Sequence, residues 1–413
     1  PNRHNSRRTR KRATGKRLNR IMLETPRHPA LFNLGFRPFF MGASLFAIIS
    51  IGYWLGFNQG IYPLQLSTLS PFQWHAHEMI YGYSLAVIAG FLLTAVKNWT
   101  GKQTLHGLSL AALFSLWVTA RILWLFNEYA LFFAAIFDLL FILILMVAVS
   151  APIILSKQWR QLAILSKLIL LGFGNLIFYL SALGFIENSI HISIYAGLYL
   201  LVGLILTIGR RIIPLFVKSG VDYPVTLFNS RWLDISSLIC FLAFFISVLF
   251  FETPKISQAT AALMVIITSI RIFGWYTPGV WKSPLLWCFY IALAFIDLGF
   301  FLFAISEPFL ISPYLSVHAF AVGGIGVITM GMMARVSIGH TGRDLKKPPA
   351  SLFYALGLLT LGAVVRTIIP AFTDTSYFLW INLSGLLWLL SFTIFFSTFF
   401  QIWSKPRVDQ EYG

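Results

Sequence analysis

The chain has 413 residues, 58% of them hydrophobic and 11% charged, with a mean hydropathy of +0.78. Soluble domains average about 25% charged residues, so the composition excludes an ordinary soluble globule and points to a membrane protein. The net charge of +17 is not a nucleic-acid signal, because nine cations crowd into the first twenty positions: Arg3, Arg7, Arg8, Arg10, Lys11, Arg12, Lys16, Arg17 and Arg20. Residues 1–30 therefore read as a basic cytoplasmic tail, without regular structure, that sets topology and touches lipid. No short apolar stretch with a small-residue cleavage site follows it, so it does not read as a cleavable signal.

About 20 apolar residues cross the hydrocarbon as a helix. Twelve such runs follow in order, at 36–57, 72–96, 104–126, 129–155, 160–186, 190–216, 232–252, 256–275, 284–305, 313–338, 350–370 and 376–403. The expected architecture is an all-α membrane protein of twelve transmembrane helices over residues 31–405, with a short cytoplasmic tail at 406–413. Loops after even-numbered helices carry Lys97, Lys102, Lys157, Arg160, Arg210, Arg211, Lys218, Lys282, Arg335, Arg343, Lys346 and Lys347. Loops after odd-numbered helices carry Glu128, Glu187, Glu252, Glu307 and Asp374 against Lys255 alone. The positive-inside rule then places both termini in the cytoplasm. Cys240 and Cys288 both fall inside apolar runs and read as packed thiols.

The second run opens on Gln73-Trp74-His75-Ala76-His77-Glu78-Met79, and the tenth on Ser316-Val317-His318-Ala319. A shift of 241 carries His77 onto His318, Gly82 onto Gly323, Gly90 onto Gly331 and Thr100-Gly101-Lys102 onto Thr341-Gly342-Arg343. The sixth run, with His191, Gly197 and Arg210-Arg211, fits more loosely, so three pseudo-repeats of four helices are expected. His75, His77, His191 and His318 all fall at outer helix ends. His28, His106 and His340 fall on the inner side.

Residues two apart on a helix point roughly 200° apart, so His75 and His77 can serve different sites, or one of them packs or hydrogen-bonds at the interface and only the other is functional. His77 and His318, equivalent positions at one depth, suit the two axial ligands of a haem b, with Arg121 and Arg366 as cations for its propionates. Gly82, Gly323, Gly324 and Gly326 would leave room for the ring, or would simply allow close helix packing. His75 with His191 could hold copper or a second iron or haem, with Met79 as a further soft ligand. A helix-end His191 can equally be satisfied by solvent. The acids Glu78, Asp138 and Asp297 lie inside apolar runs and read as proton-relay candidates. Glu78 is the best placed for catalysis, and Asp138 has an alternative as partner of Arg121. Basic clusters on the inner face (Arg37, Arg210-Arg211, Arg335 to Arg343) follow positive-inside statistics or bind an anionic lipid or quinone head group.

The segments Gly35-Phe-Arg-Pro-Phe-Phe40, Trp74-His-Ala-His-Glu-Met79, Gly209-Arg-Arg-Ile-Ile-Pro214, His318-Ala-Phe-Ala-Val-Gly-Gly324, Met332-Met-Ala-Arg335 and Gly339-His-Thr-Gly-Arg343 resemble the NnrS family across all twelve helices. That resemblance implies a bacterial inner-membrane protein containing haem and copper and tied to nitric oxide metabolism or nitrosative stress. The organisation is also similar to the catalytic subunit of haem–copper oxidases and nitric oxide reductases, whose low-spin haem pair His77 and His318 match and whose helix 6 ligand His191 matches. Two departures stand against copying that centre. The seventh run holds no histidine, and Ser316 stands where that family has a second haem ligand. The expected function is a nitric oxide reductase-type oxidoreductase drawing on quinol. The alternatives are a non-enzymatic haem protein that binds nitric oxide or nitrosylated iron, and a transporter.

Overall fold

The computed structural model describes residues 29–61, 68–126, 128–251, 254–373 and 376–413. The basic tail, His28, Glu252 and Asp374 lie outside the described residues. Those described are helical throughout, without strands. Twelve helices follow in order: α1 Phe36–Asn58, α2 Pro71–Thr100, α3 Gly107–Leu123, α4 Glu128–Leu155, α5 Leu162–Ala182, α6 Ile190–Gly220, α7 Arg231–Phe250, α8 Pro254–Trp275, α9 Pro284–Ile305, α10 Pro313–His340, α11 Ser351–Thr367 and α12 Tyr377–Ser404. Eleven are long and apolar enough to span a bilayer, and α3 is a shorter apolar helix. The protein is a multi-pass membrane protein of about twelve spans.

These helices are apolar on every side, so hydrophobicity does not say which face is inside. Lipid and protein interior are equally apolar, and helix packing in a bilayer rests on small residues and polar contacts. Tyr81 lies between α5 and α6 because Gly174 and Gly197 carry no Cβ there. A Cβ on Gly197 would come within 2.7 Å of its hydroxyl, which donates to the carbonyl of Ser193 at 2.8 Å. The chain closes on itself where α1 meets α12: Trp388 Nε1 donates to the carbonyl of Ala47 at 3.1 Å. The span of α2 is 78% buried against 17% for α7. Thus α2, with α10, is central, and α7 lies at the rim.

Both central helices are broken in the same way. After His77, α2 widens into a π-helical stretch over Glu78–Ser84, and after His318, α10 does the same over Ala319–Gly326. The starting residues differ by 319 − 78 = 241, the shift read from the sequence. A π stretch inserts a residue into the α ladder and is found mostly where function needs a side chain re-aimed. The Ser84 hydroxyl donates to the carbonyl of Met79 at 2.7 Å, occupying an acceptor within the widened turn.

Candidate functional site

The two histidines that precede these stretches have the same kind of neighbour, an arginine on the next helix. Their surroundings differ. His77 is fully buried in a cluster with α3, α4 and α5. Its Nδ1 lies 2.9 Å from Glu78 Oε1, and its Nε2 lies 2.9 Å from Asn175 Oδ1. Arg121 donates through Nη1 to Glu78 Oε1 at 2.7 Å, and its Nη2 lies 2.7 Å from Asp138 Oδ2. Asn175 Nδ2 and Tyr179 Oη donate to the same Asp138 oxygen at 3.2 and 3.1 Å, and Trp124 Nε1 donates to Tyr179 Oη at 3.2 Å. The rings of Phe178 and Trp124 lie 4.2 and 5.0 Å from the imidazole. Gly82 makes room for this arrangement, since a Cβ there would stand 2.7 Å from Arg121 Nη1.

The orientation of Asn175 follows from its partners. Turning the amide over would set its oxygen against the Asp138 carboxylate, so Oδ1 faces the imidazole. Both nitrogens of His77 are thus engaged by protein oxygens, and neither is turned to an open coordination position. Arg121 lies between the two carboxylates. Buried charge survives inside a membrane when it is paired in this way.

The second site lies across α2. His75 is half-buried, and its ring stacks on Trp54 of α1 at 4.5 Å and 15°. Its Nδ1 is enclosed and meets no hydrogen-bond partner among the described residues. His318 donates from Nδ1 to the carbonyl of Tyr314 at 2.7 Å, which leaves the lone pair on Nε2. Arg366 Nη2 donates to that Nε2 at 3.2 Å, and Arg366 Nη1 donates to Tyr377 Oη at 2.5 Å, with the guanidinium also over the Tyr377 ring. His75 and His318 are within electrostatic reach of each other, and both of Arg366. No carboxylate among the described residues acts on any of the three.

Several expectations change on this geometry. His75 and His77 do point to different sites: His75 lies within electrostatic reach of His318, whereas His77 is engaged by Glu78 and Asn175. The repeat places His77 and His318 at equivalent positions in separate units, and each turns toward its own unit's arginine. Arg121 is held by Glu78 and Asp138, the pairing weighed above for Asp138. Glu78 faces the His77 cluster rather than His75. His191 is exposed, with its ring tilted against that of Tyr195 at 4.4 Å. Asp297 stands apart on α9, accepting from Ser269 at 2.8 Å.

The donors at the second site fit a haem-type iron. An imidazole whose Nδ1–H is fixed on a backbone carbonyl is oriented as metal-bound histidines are, with its lone pair on Nε2, which here accepts from Arg366. His75 offers an unpartnered ring nitrogen, and Arg366 offers a cation for a carboxylate. Two protein ligands suffice for a haem. A copper site built from several side chains fits less well, because no group of three or more His, Cys, Asp or Glu residues among those described is arranged to hold a metal ion. Reasoning from the sequence did not name Trp54, Asn175, Tyr179 or Tyr377. Asn175, an amide inside an apolar run flanked by Gly172 and Gly174, was the available signal.

A comparison with known protein families matches one family over residues 30–407, described as NnrS protein. No curated protein matches the chain.

Proposed function

The chain belongs to the NnrS family, and on that premise we propose that it holds a haem b between His75 and His318 and handles nitric oxide there. Family membership supports a role in nitric oxide-related metabolism or response. The observation that carries the site is the fixed Nδ1–H of His318 within electrostatic reach of His75, whose Nδ1 has no partner among the described residues. A haem bound there would supply an iron that takes diatomic ligands. In this reading Arg366 would orient a propionate, Trp54 would fix the plane of the His75 ring, and the closed cluster around His77 would hold α2 in register.

Binding of nitric oxide, or of nitrosylated iron, is favoured over reduction by quinol electrons. Glu78, the candidate proton donor, is engaged by Arg121 and His77, and a second metal at His75 and His191 has no assembled ligand set. Copper remains a proposal of family resemblance without a ligand set of its own here. We place the protein in the bacterial inner membrane with both termini cytoplasmic. The ends of α2, α4, α6 and α10 that carry Lys97, Lys157, Lys218 and Arg343 support that orientation.

The test is spectral. Purified protein should show a b-type Soret band that is lost in His75→Ala and in His318→Ala, and kept in folded His77→Ala. A band lost in His77→Ala but kept in His75→Ala would reverse the assignment. Stoichiometric nitric oxide trapping without nitrous oxide supports binding, and nitrous oxide formed over many turnovers supports a reductase.

A further inference from the structure

The opposite end of the bundle holds an arginine that the haem reading does not use. Arg37 lies in the first turn of α1 and is fully buried. Its Nη1 donates to the carbonyls of Ile402, Trp403 and Lys405 at 3.2, 2.8 and 2.7 Å, capping the end of α12. Its Nε and Nη2 are enclosed and meet no acceptor among the described residues. Those two nitrogens form the side-on edge of the guanidinium, the fork that takes two oxygens of one oxyanion. Leaving such donors without an acceptor in a protein interior is costly, and more so for a charged group.

The charges around Arg37 do not answer it. Arg343 acts on it most strongly and Arg407 next, both cations, and the remaining group is the phenol of Tyr412. Arg343 also has an enclosed Nη1 without an acceptor, while the rest of its side chain is partly exposed. Asp409 packs on Gly342, beside Arg343, but is engaged by Arg407 at 2.5 and 2.9 Å. Each guanidinium thus keeps an enclosed donor without an acceptor among the described residues, and Arg343 lies within electrostatic reach of Arg37. A phosphoryl group, with up to two negative charges and several oxygens, answers both.

We infer that Arg37 and Arg343 form a binding site for a phosphate-type oxyanion, either free phosphate or the phosphate of an anionic lipid head group. Arg37 is 17 residues from Trp54 on α1, roughly 25 Å at 1.5 Å per residue. The site is therefore separate from His75 and His318, and its test does not depend on haem.

The experiment uses the full chain in detergent and in nanodiscs, with the unfolding midpoint followed by tryptophan fluorescence. Inorganic phosphate is titrated at constant ionic strength against chloride, and phosphatidylglycerol nanodiscs are compared with phosphatidylcholine ones. One or both probes should raise the midpoint. Arg343→Gln should weaken the effect about tenfold, the equivalent of one charged hydrogen bond. Arg37→Lys keeps the charge but lacks the fork, and should lose the response. If Arg37→Lys does not fold, Arg343→Gln decides alone, since Arg343 caps no helix. A shift with phosphate in detergent identifies the free anion as sufficient, and a shift only with phosphatidylglycerol identifies the lipid. No shift with either probe beyond its control, or an Arg343→Gln response equal to wild type, overturns the inference.

Discussion

The clusters around His77 and His318 are two outcomes of one plan. Each has a histidine just before a π-helical stretch and an arginine on the following helix. In the first, Glu78 follows the histidine, and Asp138 and Asn175 close the far side. In the second, the residue after the histidine is Ala319, and no acid takes the arginine. The carboxylates make the difference. Where they are present, Glu78 meets the imidazole and both carboxylates hold the guanidinium, and the cluster is closed on its own partners. Where they are absent, among the described residues, the guanidinium donates to the imidazole instead, a neutral contact that a ligand can replace without stranding a buried carboxylate. One plan thus yields a strut in one unit and a candidate cofactor site in the other.

The largest expected effect is on the strut. Arg121→Leu strands Glu78 and Asp138 in the interior, and removing one partner of a buried pair costs about 3–5 kcal/mol. Most of the protein should aggregate on extraction, read as loss of the monodisperse peak in detergent. Arg366→Leu strands no acid among the described residues, and should leave the peak intact while weakening haem retention. Equal damage from both variants would end the comparison. A smaller effect is expected from Asp138→Asn, which keeps the shape but removes one of two negative charges. It should lower stability by about 1–3 kcal/mol, the cost of an imperfectly paired buried group, without changing the Soret band. A bleached Asp138→Asn protein would mean that the sealed cluster belongs to the cofactor site after all.

The smallest effect lies outside both clusters, where an exposed pair shows what solvent does to the same chemistry. Hydrogen bonding from Arg407 holds the Asp409 carboxyl down at about 2, below the usual value near 4. A lowered carboxyl pKa means that the contact is fully present above about pH 4 and is lost as the pH falls toward 2. Hydrogen exchange across 405–413 should rise in that window relative to Asp409→Asn, with no change in global unfolding. A coincident global transition would show that the segment is part of the core.

Much of the molecule was legible beforehand. The twelve runs match the helices closely, because a bilayer demands length and apolarity before anything else. The shift of 241 marked the two π stretches, although nothing in the sequence announced that the helix would widen there. The opposed faces of His75 and His77 followed from helix geometry alone. Their partners did not. A helix apolar on all sides does not reveal which way it is rotated, so either histidine could have met His318.

The sequence by itself determined a polytopic helical membrane protein, the repeat relating α2 to α10, and the short roster of polar residues from which any site had to be built. Only the tertiary structure decided which of them meet. Local spacing fixes angles along one helix, whereas contact depends on how neighbouring helices are turned and how closely their glycines let them approach. Gly82 admits Arg121 to the side of Glu78 and His77, and Trp54 stacks on His75 from a helix that precedes it by a loop. Both contacts arise between helices, and no periodicity within one helix contains them.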